Sequence, residues 1–240
     1  MATQDTHDDT DPADSPQAAA LIAVLAAAFS LSAAAIRNLA TIIYSARIQA
    51  YSQVYQAIAQ TVGASLPADW VAPDVVLAAQ SDAALAAAQS VAATLARDVT
   101  ADATRLVNNW VATHAALPDP LAPLAETQYT LTLQLRIEVV QRGQWKAAQI
   151  SLQETGLARA NATQDAVHAV QDGTLTDPSG DTIDVSQYVI AVLPAGSSGD
   201  ASCSEYAGNT YPLADDYILD LWPAHPQCIH YAQIMLASDV

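Results

Sequence analysis

Cysteine and histidine side chains near the C-terminus have types and spacing that suit a metal ion. Cys203 lies 22 residues before His225, and Cys228 and His230 follow within the next five residues. Two thiolates and two imidazoles form a normal tetrahedral ligand set for Zn²⁺, and the two thiolates neutralise its charge. The sequence therefore predicts a structural zinc site at Cys203, His225, Cys228 and His230.

The same two cysteines, the only two in the chain, allow two other states. A disulfide between Cys203 and Cys228 would close a loop of about 26 residues and stabilise the chain by roughly 3–4 kcal/mol. Alternatively, both residues are free, buried thiols. The spacing of the residues leaves all three states open.

The chain contains none of the common catalytic motifs. It has no G-x-S-x-G elbow, no glycine-rich phosphate loop, no H-E-x-x-H and no zinc-deaminase signature. Asp215, Asp216 and Asp220 do not have the spacing of a cation-binding loop. We therefore predict a protein that is not an enzyme, with no catalytic residues and with zinc as its only candidate cofactor.

The elements that would position the cysteines and histidines differ from the rest of the chain. After Gly173 helix-forming residues thin out. Residues 187–193 are rich in β-forming types and predict a strand, Gly208 and Asn209 predict a tight turn, and residues 229–235 predict a closing strand or short helix. On a strand, Cys228 and His230 would point to the same face.

Alanine dominates the chain before Gly173, with 52 alanines among 240 residues overall. Because alanine is the best helix former, these stretches predict long helices. Ser15 and Pro16 predict a helix start, and no glycine or proline follows until Gly63. Pro67 and Pro73 predict a linker. Three later helical stretches are predicted. The first covers 74–116, with internal start signals at Asp82 and Thr100. The second covers 124–141 and ends at Gly143, and the third covers 145–171.

Residues 17–36 carry no charge and are long enough to cross a membrane. About half of them are alanine, and Ser30 and Ser32 interrupt the run, so the stretch is weakly hydrophobic. We therefore expect this segment to pack against partner chains, with a membrane anchor as the alternative. From Arg37 onward the pattern becomes amphipathic. It predicts an apolar face with Ile42, Ile43, Ala46 and Ala50 and a polar face with Arg47, Gln49 and Gln53.

The net charge of −17 is unevenly distributed. Residues 1–36 hold five acids and no base, residues 37–159 hold all 8 Lys and Arg, and residues 160–240 hold 11 acids with no Lys or Arg. Binding to nucleic acid or to an anionic membrane needs clustered basic residues. The sequence therefore predicts no sequence-specific nucleic-acid partner, and it argues against an anionic membrane surface as a partner.

These observations predict an α+β protein, with long Ala-rich helices in the N-terminal two-thirds and a small mixed β and loop domain at the C-terminus. We divide the chain into a disordered acidic tail at 1–15, a helical domain at 16–172 and a C-terminal domain at 173–240.

The order of motifs in the C-terminal part resembles a known family. The motifs are Gln153-Glu154-Thr155 with Arg159 and Asn161, the strand 187–193, Cys203-Ser-Glu-Tyr206, Ala207-Gly208-Asn-Thr-Tyr211-Pro212-Leu213 and His225-Pro226-Gln-Cys228-Ile-His230. This order, over about residues 145–235, resembles the phage head morphogenesis family, whose minor head proteins are similar to the F protein of phage Mu. Tyr206 and His230 stand where the family pattern has cysteines, and His225 could supply the ligand that Tyr206 lacks.

The resemblance implies a minor capsid protein in a few copies per virion. It implies head assembly near the portal vertex or in the capsid interior, with the portal and major capsid proteins as partners, and host cytoplasm as the location during assembly. The 21 Asp against 4 Glu, with a single Lys, resemble proteins of salt-loving archaea. Together these features suggest a tailed virus of a halophile, with a phage of a high-GC bacterium as one alternative. A pilin-like, membrane-attached protein anchored by 17–36 is the alternative function.

Overall fold

The computed structural model describes residues 15–193, 206, 208–214 and 231–239. It confirms an α+β protein with four helices and one small sheet in this part of the chain. The helices are α1 (Pro16–Ala28), α2 (Ala33–Thr61), α3 (Asp74–Thr113) and α4 (Leu124–Gln171), and the strands are β1 (Tyr188–Leu193), β2 (Thr210–Pro212) and β3 (Tyr231–Leu236).

The first apolar stretch forms two helices. Ser15 caps α1 as predicted, because its side chain accepts a hydrogen bond from the Ala18 backbone N–H at 3.2 Å. At the break, the Ser30 hydroxyl donates to the Ala27 carbonyl, and the Ser32 hydroxyl accepts from the Ala35 N–H at the start of α2. Serine side chains that bond to the local backbone in this way compete with the helix ladder, which explains an interruption without glycine or proline.

Helix α4 corrects the prediction that Gly143 separates two helices. The helix is continuous over 48 residues from Leu124 to Gln171. A glycine inside a helix costs only about 1 kcal/mol relative to alanine, so neighbouring contacts can override it. Arg142 and Lys146, on either side of Gly143, both pair with carboxylates of α3. Helix α3 is likewise continuous, so Asp82 and Thr100 start no new helix.

We expect Gly143→Ala to raise the free energy of unfolding by about 0.5–1 kcal/mol, because alanine removes the entropic penalty of glycine in a helix. A Cβ atom added at Gly143 would meet no other atom within 4 Å. Urea unfolding followed by circular dichroism measures the change. Gly173→Ala is the matched control and should destabilise, since Gly173 has φ +75° just after α4. If Gly143→Ala lowered the stability, this would contradict a regular, continuous helix at this position.

The described contacts divide into two compact units, each assembled from separate stretches of chain. Among the described residues, the first unit comprises 15–36 and 89–146, and the second comprises 37–88 and those from 147 onward. The predicted boundaries at residues 15 and 172 followed composition, whereas the units follow contacts, so each of α3 and α4 contributes to both units.

In the first unit, α1 packs on parts of α3 and α4. Its Ala18, Leu21 and Leu25 are buried. The apolar core that they join also contains Val99, Ala103, Leu106, Val107, Val111, Leu121, Leu131 and Leu135. One face of α1 is therefore covered within its own chain, whereas the other face, with Val24, stays exposed. The expectation that 17–36 packs against partner chains stays a prediction. Alanine and leucine at spacings of three and four residues provide this buried face.

The second unit contains the sheet, with strand order β2-β1-β3 and both pairings antiparallel. The predicted strand at 187–193 is β1, and the closing element is β3, a strand. Ile190 of β1 lies opposite Ile234 of β3, and both are buried. Their core continues through α2, α4 and the connections, with Ile58, Ala59, Val62, Ala166, Val167, Val170, Leu175, Val192 and Leu213.

Candidate functional site

The predicted zinc ligands Cys203, His225, Cys228 and His230 lie outside the described residues, as do Asp215, Asp216 and Asp220. The zinc site, the disulfide and the free thiols therefore stay predictions. Within the described ranges, no three His, Cys, Asp or Glu residues come close enough together to hold a metal ion.

A buried polar network joins three helical segments of the second unit. Arg47 of α2 donates from Nε to the Gln80 Oε1 of α3 at 2.7 Å, and from Nη1 to the Glu154 Oε2 of α4 at 2.5 Å. The side chains of Arg47 and Glu154 are only 4% and 10% exposed. This corrects the predicted polar face of α2, because Arg47 is buried while Ile42 is 67% exposed. The network fixes how these segments meet, because a buried charge needs its partners beside it.

A second buried contact lies one turn further along α2. The Tyr51 hydroxyl donates to Asp165 Oδ2 at 2.7 Å, and the Tyr51 ring stacks near Tyr55, which in turn stacks on Trp70 with ring centroids 4.7 Å apart. Burial, followed by the hydrogen bond to Asp165, raises the pKa of Tyr51 well above its usual range. A phenol with such a pKa stays protonated near neutral pH, so Tyr51 acts here as a buried hydrogen-bond donor.

An open cleft of about 430 Å³ lies in the second unit. Every described residue that lines it is uncharged, including Gln56, Gln60, Ser65, Leu66, Pro67 and Pro178. Acid–base chemistry needs a titratable side chain, and the described lining of this cleft supplies none.

Ion pairs between α3 and α4 run along the first unit in an antiparallel series. Lys146 pairs with Asp98, Arg142 Nη1 lies 2.6 Å from Asp102 Oδ2, and Arg105 Nη2 lies 2.5 Å from Glu138 Oε2. The hydrogen bond from Lys146 lowers the pKa of Asp98 below its ordinary value. These pairs engage three of the 8 Lys and Arg residues of the chain, and they hold the two helical segments together.

We expect Lys146→Met to lower the free energy of unfolding at neutral pH by about 0.5–1 kcal/mol, because both partners are partly exposed. Since the folded-state pKa of Asp98 is depressed, the contribution is present above the ordinary aspartate pKa and is lost as the pH falls through the lower, folded value. Urea unfolding at pH 7 and at successively lower pH measures this. The free energies of unfolding of the wild type and of Lys146→Met should become equal at acidic pH. Arg37→Met removes a charge from an exposed position and serves as the control. A difference that is constant with pH would contradict the assignment.

An exposed row of large apolar side chains follows the first part of α4. We call it the apolar stripe, and it consists of Tyr129 (67% exposed), Leu133 (43%), Ile137 (60%) and Val140 (52%). At 100° per residue these four positions fall within an arc of about 80° and extend over roughly 17 Å. The opposite face of the same segment is also apolar, with Leu131 and Leu135 buried in the core. A helix that is apolar on both faces normally has both covered.

The burial of Arg47 and the apolar stripe each have a signal in the sequence. Arg47 lies four residues after Ile43 and four before Tyr51, so it is in register with the buried positions of α2. The alternation from Tyr129 to Leu133 is typical of a strand. It arises here because one helix is apolar on two faces.

Comparison of the chain with known protein families, curated protein sequences and solved structures finds no match.

Proposed function

We propose that this chain is a structural, non-catalytic virion protein, a minor capsid component that acts in head assembly. In this proposal several copies associate with the portal vertex or the capsid interior, and the portal and major capsid proteins are the partners. The order of motifs in residues 145–235, given above, is the reason for choosing this class of assembly protein over others.

The observation that carries the proposal is the apolar stripe on α4. Exposed apolar surface in a contiguous patch marks a site of protein contact. Here the patch lies on a helix of 48 residues whose other face is anchored in a core, so it is presented on a rigid element. Assembly proteins need such preformed contact faces, whereas an enzyme needs a pocket with reactive groups.

The charge distribution also supports a protein contact in preference to packaged DNA. Of the 8 bases, Arg47, Arg105, Arg142 and Lys146 are engaged with carboxylates inside the chain. The excess of acids repels a nucleic-acid backbone. A capsid-interior protein with this charge would contact other proteins of the shell.

Mass spectrometry of density-purified virus particles tests the proposal. Peptides of this chain should appear in a constant, low molar ratio to the major capsid protein across the gradient fractions that contain intact particles. Host proteins of similar abundance in the lysate serve as the control for adventitious adsorption. Absence of the chain from particles, together with its presence in the infected-cell extract, would contradict the proposal.

A membrane-attached protein is the second candidate, favoured by one observation. Helix α3 is long and apolar enough to cross a bilayer, and α1 and α2 pass the same test when they are counted together across their break. The 13 residues of α1 alone extend over only about 20 Å, less than the roughly 30 Å of the hydrocarbon core. Carbonate extraction of membranes distinguishes the candidates, because an integral protein stays in the pellet and a capsid component is released.

A further inference from the structure

We propose that the apolar stripe of α4 binds the same stripe of a second copy of this chain. This inference deepens the proposed function, but it concerns the isolated protein and is tested without virus particles. The stripe comprises Tyr129, Leu133, Ile137 and Val140, and it is the longest regular row of exposed large apolar side chains on the described helices.

The area of the stripe matches a weak dimer. Its four side chains expose roughly 400 Å² of apolar surface in each copy. Two copies would therefore bury about 800 Å² of apolar surface, which is below the roughly 1,200 Å² at which stable, specific interfaces begin and is typical of weak contacts. We therefore expect an equilibrium between monomer and dimer that depends on protein concentration.

The stripe is also self-complementary. In an antiparallel, two-fold arrangement centred at Leu135, Leu133 lies opposite Ile137, and Tyr129 lies within one residue of the position opposite Val140. The large ring of Tyr129 thus faces the smaller Val140, the similar side chains of Leu133 and Ile137 face each other, and every member of the stripe is covered. Such a contact is isologous and closes at two copies, so it creates a dimer and no filament.

Charge gives the dimer a distinctive response to salt. Each copy carries a net charge of −17, and the exposed Arg136 flanks the stripe, so like charges oppose association both at long range and beside the seam. Salt screens both repulsions, whereas it does not weaken an apolar contact. Dimerisation through the stripe should therefore strengthen as the salt concentration rises, which is the opposite of an interface held by ion pairs.

Sedimentation equilibrium of the full-length chain over a range of protein and salt concentrations tests the proposal. The wild type should dimerise more tightly as salt increases. Ile137→Glu should raise the dissociation constant about 100-fold or more, because two-fold symmetry places two carboxylates in the apolar seam. Leu152→Glu is the matched control, since Leu152 lies on α4 outside the stripe and is 75% exposed. It should leave the dimer intact.

Both substitutions are at exposed positions, and circular dichroism melting curves should confirm that each variant folds as the wild type does. A wild type that stays monomeric at all protein and salt concentrations would overturn the proposal. Binding of the stripe to neutral lipid vesicles would then point to a membrane as its partner, and the proposal would still be overturned. Equal weakening by Ile137→Glu and Leu152→Glu would overturn it as well, because the contact would then lie elsewhere.

Photo-crosslinking locates the contact independently. A benzophenone amino acid in place of Tyr129 should crosslink to the segment 137–142 of a second copy. This segment is a separate tryptic peptide, because Arg136 and Arg142 precede and end it. A mixture of light and heavy isotope-labelled chains identifies crosslinks between copies. Crosslinks only to other surfaces would overturn the proposal.

Discussion

Replacing Arg47 with methionine is expected to lower the free energy of unfolding by about 3–5 kcal/mol, the largest effect of any single substitution considered for this protein. The side chains of Arg47 and Glu154 are nearly inaccessible to water. Without the guanidinium, the Glu154 carboxylate stays buried with no opposite charge, and the Gln80 carbonyl loses its donor. Each loss incurs the desolvation penalty of an unsatisfied polar group.

The variant Arg47→Met/Glu154→Leu shows whether this loss comes from the unpaired charge. It removes both charges and replaces them with apolar side chains of comparable size. Because a buried ion pair is often no more stabilising than apolar packing, we expect the double variant to recover most of the lost stability. Arg97→Met, at an exposed guanidinium, should change the free energy by less than about 1 kcal/mol and is the control for loss of one charge. Urea unfolding of the four proteins measures all of these changes.

A double variant as unstable as Arg47→Met alone would contradict this explanation. It would mean that the geometry of the network, and the packing around it, contribute more than the pairing of charges. A small effect of Arg47→Met would instead contradict the burial of the pair.

Replacing Leu25 with alanine is expected to destabilise the isolated chain by about 2–5 kcal/mol. Leu25 is completely buried in the core of the first unit, with residues of α3 and α4 around it. Truncation removes three buried carbons and leaves a cavity that the surrounding helices can fill only in part. The effect is measured by urea unfolding of the purified monomer at low protein concentration.

Val24→Ala provides a matched control on the neighbouring residue, because Val24 is 48% exposed. It should change the free energy of unfolding by less than about 1 kcal/mol. The comparison decides what covers the uncharged segment at 17–36. If this segment were covered by partner chains or lipid, both substitutions would have little effect on the monomer.

The apolar stripe could be predicted only in part from the sequence. The apolar residues of 124–141 and their helical spacing were visible. Both faces of the helix carry such residues, however, and sequence alone cannot say which face enters the core. That choice depends on the position of α1, whose Leu21 and Leu25 fill the core from a distant part of the chain.

For the predicted zinc ligands, the sequence gives the residue types but does not show whether these residues come together. Their residue types define a plausible chemistry from sequence alone, at Cys203, His225, Cys228 and His230. Whether they converge depends on distances that spacing along the chain does not fix, so the site stays a prediction.

The sequence by itself determined the features that depend on local interactions. The cap at Ser15, the linker between Pro67 and Pro73, the end of α4 before Gly173 and the strand at 188–193 all follow from the preferences of a few adjacent residues. The α+β class follows from the same preferences, summed along the chain.

Only the tertiary structure decided the features that depend on contacts between distant residues. Gly143 remains helical where Arg142 and Lys146 pair with α3, and Arg47 is buried because Gln80 and Glu154 meet it there. The local preference against helix at Gly143 amounts to about 1 kcal/mol, and the local preference of Arg47 is the solvation of its charge. Partners far away in the chain, 33 and 107 residues away for Arg47, overcome these preferences. Periodicity along one helix contains no information about such partners.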